Sequence, residues 1–369
     1  MTQPIQKIIF GSPGTGKSHL IKSEIIPDEL DIDEKENPEN VIKAVFHPEY
    51  TYGDFMGKLL PITRAGQVEY NFYEGHFLKA LAQAYKNMII AHDKNGQKLS
   101  EPENVVLVID EINRGNSSAI FGSAFQLLDR NDDGWSSYDT SINGVTFFRL
   151  LELIGFTFSY DKNQEIDDYK LKGFEPAKKL ETFQPKLAYL NFDLTNKTIK
   201  IPPNLHIIAT MNTSDNSIYH MDTAFKRRWE WQFIDVNSNP ITEQGNAFYY
   251  NSNNKDDPNN KDYYHFIDKL NQFIKSNHSY IRGIEDKQIG RYFIKGNAQN
   301  QIKYSIIQSK LMFFIWDSVF NRDKTPLVKL LFGNDNVEQN KNKLVTFGDF
   351  ALQVKFFVEK IQKYENNNV

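Results

Sequence analysis

The sequence contains no cysteine, which excludes a disulfide framework, a thiolate metal site and a cysteine nucleophile. Charge of neither sign dominates: 43 Lys and Arg against 47 Asp and Glu leave a formal net charge of −4. No global basic field therefore draws the chain to nucleic acid, and such a contact needs a local patch or a partner. No apolar run approaches the ~20 residues of a membrane span, and the start shows no signal-peptide pattern. A cytoplasmic protein without membrane contact is expected. With 369 residues, 40% hydrophobic and 24% charged, the chain has room for two globular domains.

What is present begins ten residues in. The apolar run Ile5 to Phe10 reads as a buried strand, and Ser18 to Ile26 reads as a helix. Between them stands Gly11-Ser12-Pro13-Gly14-Thr15-Gly16-Lys17-Ser18, a G-x-x-x-x-G-K-S turn in the strand–turn–helix setting of a phosphate-binding loop. Glycines let successive N–H groups turn toward phosphate oxygens, and the helix presents its positive end to the same anion. Lys17 supplies a point charge for the β- and γ-phosphates, and the Ser18 hydroxyl suits Mg²⁺. Residues 11–18, with His19 beside them, are the expected nucleoside triphosphate contacts.

Downstream, Val41 to His47 reads as a second strand, followed by an aromatic loop from Pro48 to Gly57. Tyr50, Tyr52 and Phe55 there either face a central pore or pack on the sheet. A small hairpin is expected between Leu60 and Tyr73, and a helix from Gly75 to Ala91. Val105 to Ile109 is a run without polar residues, as in a parallel strand covered on both faces. A helix over Ser117–Asp129 follows. Asp129 to Gly134 matches half of a calcium loop, but its twelfth position is Thr140 rather than Glu, which favours a helix-ending turn. Residues 131–200 read as hairpins plus an insertion. Leu205 to Asn212 is another buried strand, and Trp229 to Val236 the last. The stretch 237–262 has linker composition. Helices are expected around Phe266–Ile274, Ile302–Phe320 and Phe350–Tyr364. The pattern is an α/β domain over 1–236 and a linker with an all-α domain over 237–369.

Hydrolysis requires a metal anchor, a base for water, a γ-phosphate sensor and a positive charge for the transition state. Each has a candidate near the end of a buried strand, where open α/β sheets place their sites. Asp110 is the metal candidate, directly or through water, and Glu111 the residue that polarises the attacking water. Asn212 either orients that water or touches the γ-phosphate. Lys226, Arg227 and Arg228 are either an exposed basic face or the source of an arginine finger for a neighbouring subunit.

Four boxes together resemble the AAA+ ATPases, and within them the McrB branch, the motor of McrBC-type modification-dependent restriction systems. They are Gly11–Ser18, Asp110-Glu111-Ile112-Asn113-Arg114-Gly115-Asn116, Met211-Asn212-Thr213-Ser214-Asp215 and Asp222–Trp229. His47 to Phe55 resembles that branch's F-H-x-x-Y-x-Y-x-D-F segment, and Lys287-Gln288-Ile289-Gly290 its I-G motif. The resemblance covers roughly residues 5–320. It implies a P-loop NTPase fold with a five-stranded parallel sheet flanked by helices, then a small helical lid. It also implies a homo-oligomeric ring, usually a hexamer, with Mg²⁺ and GTP or ATP between subunits. A separate McrC-like nuclease would be the partner, and DNA would be contacted indirectly.

By this likeness Lys17, Ser18, Asp110, Glu111 and Asn212 take the roles above, and Arg227 and Arg228 become trans-acting finger candidates. Arg114, Asp222 and Arg291 are intersubunit or sensor candidates. The third box reads N-T-S-D where N-T-A-D is commoner, and Gly290-Arg291-Tyr292-Phe293 stands where the branch often has G-H-S-Y-F. Few residues precede the first strand, so a motor without its own methylcytosine reader is expected. Two other functions fit the boxes: a MoxR- or dynein-related-type remodelling ATPase acting on proteins, and a nucleotide-switched assembly protein with slow turnover.

Overall fold

The computed structural model describes residues 3–64, 66–163, 165–212, 219, 221–234, 246–249, 263–290, 293–294 and 301–365. The chain divides into two compact units, Met1–Trp229 and Glu230–Val369.

In the first unit, β1 (Gln6–Gly11) leads through the glycine-rich turn into α1 (Lys17–Leu20), which continues in wider π-type turns over Ile21–Glu29. Then come β2 (Val41–Val45), α2 (Tyr52–Met56), β3 (Gly57–Arg64), β4 (Gln67–Glu74), α3 (His76–Ile90) and β5 (Val105–Asp110). The helix expected over Ser117–Asp129 is two pieces, α4 (Ser117–Phe121) and a 3-10 stretch, Gly122–Leu128. The joint is Gly122 at φ +50°, where a Cβ would also meet the Tyr52 ring at 2.8 Å.

Residues 131–200, expected to hold hairpins, contain two antiparallel pairs. These are β6 (Thr140–Ser141) with β9 (Thr198–Ile199), which joins the two ends of the stretch, and β7 (Phe156–Tyr160) with β8 (Ile166–Leu171), which is a hairpin. They also contain a helix that their β-branched and aromatic residues concealed, α5 (Gly144–Ile154). Asn143 caps it by accepting the Thr146 N–H at 2.9 Å, and Gly155 at φ +112° ends it. Phe147, Leu150, Leu151 and Ile154 form its buried stripe. The unit closes with β10 (Leu205–Asn212) and α6 (Thr223–Arg227).

The main sheet runs β1–β10–β5–β2 within this unit, and β11 (Glu230–Ile234) opens the second unit. The pairs β1–β10, β10–β5 and β5–β2 are parallel. Ile8 to Phe10, Val105 to Leu107 and Leu205 to Ala209 are buried, which is why these strands read as continuous apolar runs. His206 is a polar residue within that layer. Its Nδ1 accepts the Ile5 N–H at 2.9 Å, and burial, helped by the Arg130 guanidinium, pushes its pKa down to about 4. Burial also lowers Arg130 to about 9; its guanidinium donates to the carbonyls of Gly134, Ile201, Pro202 and Leu205.

The second unit holds β12 (Asn246–Tyr249), α7 (Tyr263–Ser276) and β13 (Gln301–Lys303), with β12 antiparallel to β13. β12 lies inside the stretch expected to be a linker; the rest of 237–262 is outside the described residues. α8 (Tyr304–Ile306) runs on in π-type turns over Ile307–Met312 and Ile315–Val319. α9 (Thr325–Phe332), α10 (Val337–Lys341), α11 (Phe347–Ala351) and α12 (Val354–Gln362) complete it. α9 and α10 fall between the helices expected from sequence. Phe266, Trp316, Phe350 and Phe357 form a linked aromatic core.

Candidate nucleotide site

The strand register assembles the first three boxes. Gly11 pairs with Asn212 across β1 and β10, Ala209 with Ile109 across β10 and β5, and Val45 with Asp110 across β2 and β5. The phosphate loop, the Asp110-Glu111 pair and Asn212 therefore emerge at one edge of one sheet, at the carboxyl ends of its strands.

The loop takes its shape from Gly14 at φ +80° and Gly16 at φ +83°, a region that glycine alone enters without strain. Thr15 Oγ donates to the Ser12 carbonyl at 3.0 Å. Lys17 Nζ donates to the carbonyls of Gly11, at 3.2 Å, and Ser12, at 2.9 Å. Burial lowers the Lys17 pKa, and the charge of Glu111 opposes that shift. Ser18 and His19 are exposed at the start of α1.

Opposite the loop, Thr210 organises the end of β5. Its hydroxyl donates to Asp110 Oδ1 at 3.0 Å and accepts the Glu111 N–H at 3.2 Å, and its carbonyl accepts the Ile112 N–H at 3.0 Å. Glu111 has a left-handed backbone, φ +56°, which turns the chain sharply as it leaves the strand. The Asn212 side-chain amide donates to Glu111 Oε1, and Asn113 Nδ2 donates to the Asn212 carbonyl at 3.0 Å. Asn113 is buried. Thr210 and Asn113 were not given roles from sequence. Thr210 follows the apolar stretch Ile207 to Ala209 of β10, and only its pairing with β5 gives it meaning.

The fourth box is anchored by an aromatic cluster. Phe225 and Trp229 are fully buried against Phe121, and Phe125 stacks on Phe225. Asp222 caps α6, accepting the Phe225 N–H at 2.6 Å and the Ser118 hydroxyl at 3.2 Å, so its carboxylate has a structural task. Arg228 is engaged within its own chain. It donates to Asp129 Oδ2 at 2.9 and 2.7 Å and to the Ala224 carbonyl, and lies 4.0 Å from the Phe125 ring centre. Arg227 and Arg114 are exposed.

Arg291, and Thr213 to Asp215 of the third box, lie outside the described residues. In the second unit the Asn271 side chain donates to the Ile289 carbonyl and accepts its N–H, both at 2.8 Å, fixing the start of the I-G pair. Of the three aromatics proposed for a pore, Tyr50 and Phe55 are buried, stacked on Phe46 and Phe77 respectively. Tyr52 is half-buried against Gly122. They pack; they do not project.

The oxygen donors fit Mg²⁺: a hydroxyl from Ser18 and a carboxylate from Asp110 are the hard ligands this cation prefers. A parallel sheet with a phosphate loop after its first strand and carboxylates at a neighbouring strand end defines the P-loop NTPase fold. The chain is similar to the Type II restriction enzyme BsuMI component YdiS of Bacillus subtilis (strain 168), with 28% identity over 90% of this chain and 88% of that protein. It is also similar to the Type IV methyl-directed restriction enzyme EcoKMcrB subunit of Escherichia coli (strain K12), with 25% identity over 66% of this chain and 38% of that protein. No family model matches the chain. The fold, the boxes and these similarities support its assignment as a McrB-like AAA+ protein.

Proposed function

We propose that the chain is the NTP-hydrolysing subunit of a McrBC-like restriction system, working as a ring and driving a separate nuclease or specificity partner. The observation that carries this is the meeting of Gly11, Asp110, Glu111 and Asn212 at one sheet edge, with Lys17 in the field of Glu111. In this reading the loop N–H groups and Lys17 bind the β- and γ-phosphates of ATP or GTP. Ser18 and Asp110 hold Mg²⁺, which when bound neutralises phosphate charge. Glu111 takes a proton from the attacking water, and Asn212 fixes the Glu111 carboxylate through its amide. The finger falls to Arg227, since Arg228 is held by Asp129 of its own chain.

Both similar proteins carry restriction-enzyme names, which directs the work of the ring toward DNA restriction rather than protein remodelling. The test is turnover of ATP and GTP side by side, with and without the product of the adjacent reading frame. Lys17→Ala is expected to lose nucleotide binding. Glu111→Gln is expected to keep binding while hydrolysis falls by roughly 100-fold or more. Wild-type turnover by both variants would sink the site assignment.

A further inference from the structure

We infer that Thr210 is a positioning residue for the proposed hydrolytic site, setting both the metal-facing carboxylate and the base through one hydroxyl. The inference rests on the functional reading above and names a residue that lies outside the four boxes. Thr210 is buried, at 3% exposure, on the strand between β1 and β5. Its hydroxyl has one proton and two acceptor lone pairs. The proton goes to Asp110 Oδ1, which leaves Oδ2 to face a metal or its water shell. A lone pair takes the N–H of Glu111, the residue whose backbone is left-handed. The Thr210 carbonyl takes the next N–H, that of Ile112.

Three successive residues are thereby gripped by one, two positions before Asn212, whose amide meets the Glu111 carboxylate. The physical consequence is a shared reference. Asp110 cannot rotate, nor can Glu111 relax toward an ordinary backbone, without breaking a bond to the same buried oxygen. A carboxylate that coordinates a metal is commonly oriented by such an outer hydrogen bond, and loss of the bond costs roughly 10–100-fold in metal affinity or activity.

The experiment compares wild type with Thr210→Val, which keeps the shape and removes the hydroxyl, Thr210→Ala, and Thr210→Ser, which keeps the hydroxyl. Fluorescent ATP and GTP analogues are titrated in Mg²⁺ and in EDTA, and turnover and thermal midpoint are measured on the same samples. Expected for Val and Ala are unchanged affinity in EDTA, a Mg²⁺-dependent gain in affinity reduced roughly tenfold, and kcat lowered roughly 10–100-fold. Ser should restore both to within about twofold of wild type. Val and Ala variants matching wild type in Mg²⁺ dependence and kcat would overturn the inference. So would a Ser variant as impaired as Val, since packing would then be the cause. A wild type inert toward every nucleotide overturns the functional reading itself and this inference with it; an active wild type beside an equally active Val variant overturns this inference alone.

Discussion

Two regions of the first unit present opposite solutions to the same problem of placing polar and apolar groups. At the carboxyl ends of β1, β5 and β10, Asp110 and Glu111 each accept from a side chain on β10, and strand register sets their spacing. On the β3–β4 hairpin, Leu59, Val68 and Tyr70 stand in solvent, and most of the residues on both strands are exposed. The strand ends are over-determined, as a site needing sub-ångström placement must be. The hairpin is a two-stranded ribbon with few partners, although Glu74 at its base accepts from Arg149 of α5. Rigidity and exposure are thus separated along the chain. Chemistry is expected where contacts are dense, and contact with other molecules where they are sparse.

The largest effect that tests this contrast is on the buried side and depends on pH. His206 has an ordinary pKa of about 6.5 when unfolded and about 4 in the fold. The unfolded chain therefore takes up this proton first, so the contribution is intact above pH 6.5 and falls as pH drops from 6.5 toward 4. At the acid limit the loss is about 3 kcal/mol. Urea denaturation at pH 7.5 and 5.0 should show it. His206→Gln, whose amide oxygen still accepts the Ile5 N–H, should flatten the slope; an unchanged slope would show that this imidazole does not titrate as described.

Next in size is Arg228→Ala. It strands Asp129, itself only part-buried, and uncovers Phe125, for an expected loss of about 2 kcal/mol in a denaturation midpoint. Arg228→Lys should recover only part, because an ammonium cannot make the same two-pronged contact. A variant as stable as wild type would mean the pair contributes nothing to the fold. The smallest effect is expected on the hairpin. Tyr70→Ser or Val68→Thr should shift stability by less than about 0.5 kcal/mol. A large loss in either would erase the distinction between the two regions.

Much of this was legible in the sequence where a rule acts locally. β1, β5 and β10 announced themselves through apolar stretches, Ile8 to Phe10, Val105 to Ile109 and Ile207 to Ala209, because both of their faces are covered. The phosphate loop did so because its glycines are required by backbone angle. α5 was hidden because Val145, Thr146, Phe147 and Phe148 favour strands in isolation. The buried spacing 147, 150, 151, 154 and the Asn143 cap outweigh that preference. The helix break falls at Gly122, where a side chain would meet a ring seventy residues earlier in the chain, Tyr52. Thr210 was silent for a similar reason: its partners are on another strand a hundred residues away. Arg227 and Arg228 could not be separated by spacing; the carboxylate that engages one of them, Asp129, is distant in sequence.

One backbone angle has a meaning beyond geometry. For an ordinary residue the left-handed conformation of Glu111 costs about 1–2 kcal/mol relative to the usual region, and glycine or asparagine would rest there more easily. A folded domain has only about 5–15 kcal/mol of margin. A side chain at such a position is a standing stability deficit, so replacing Glu111 by a more comfortable residue is expected to strengthen the fold while removing the carboxylate on which the proposed hydrolysis rests.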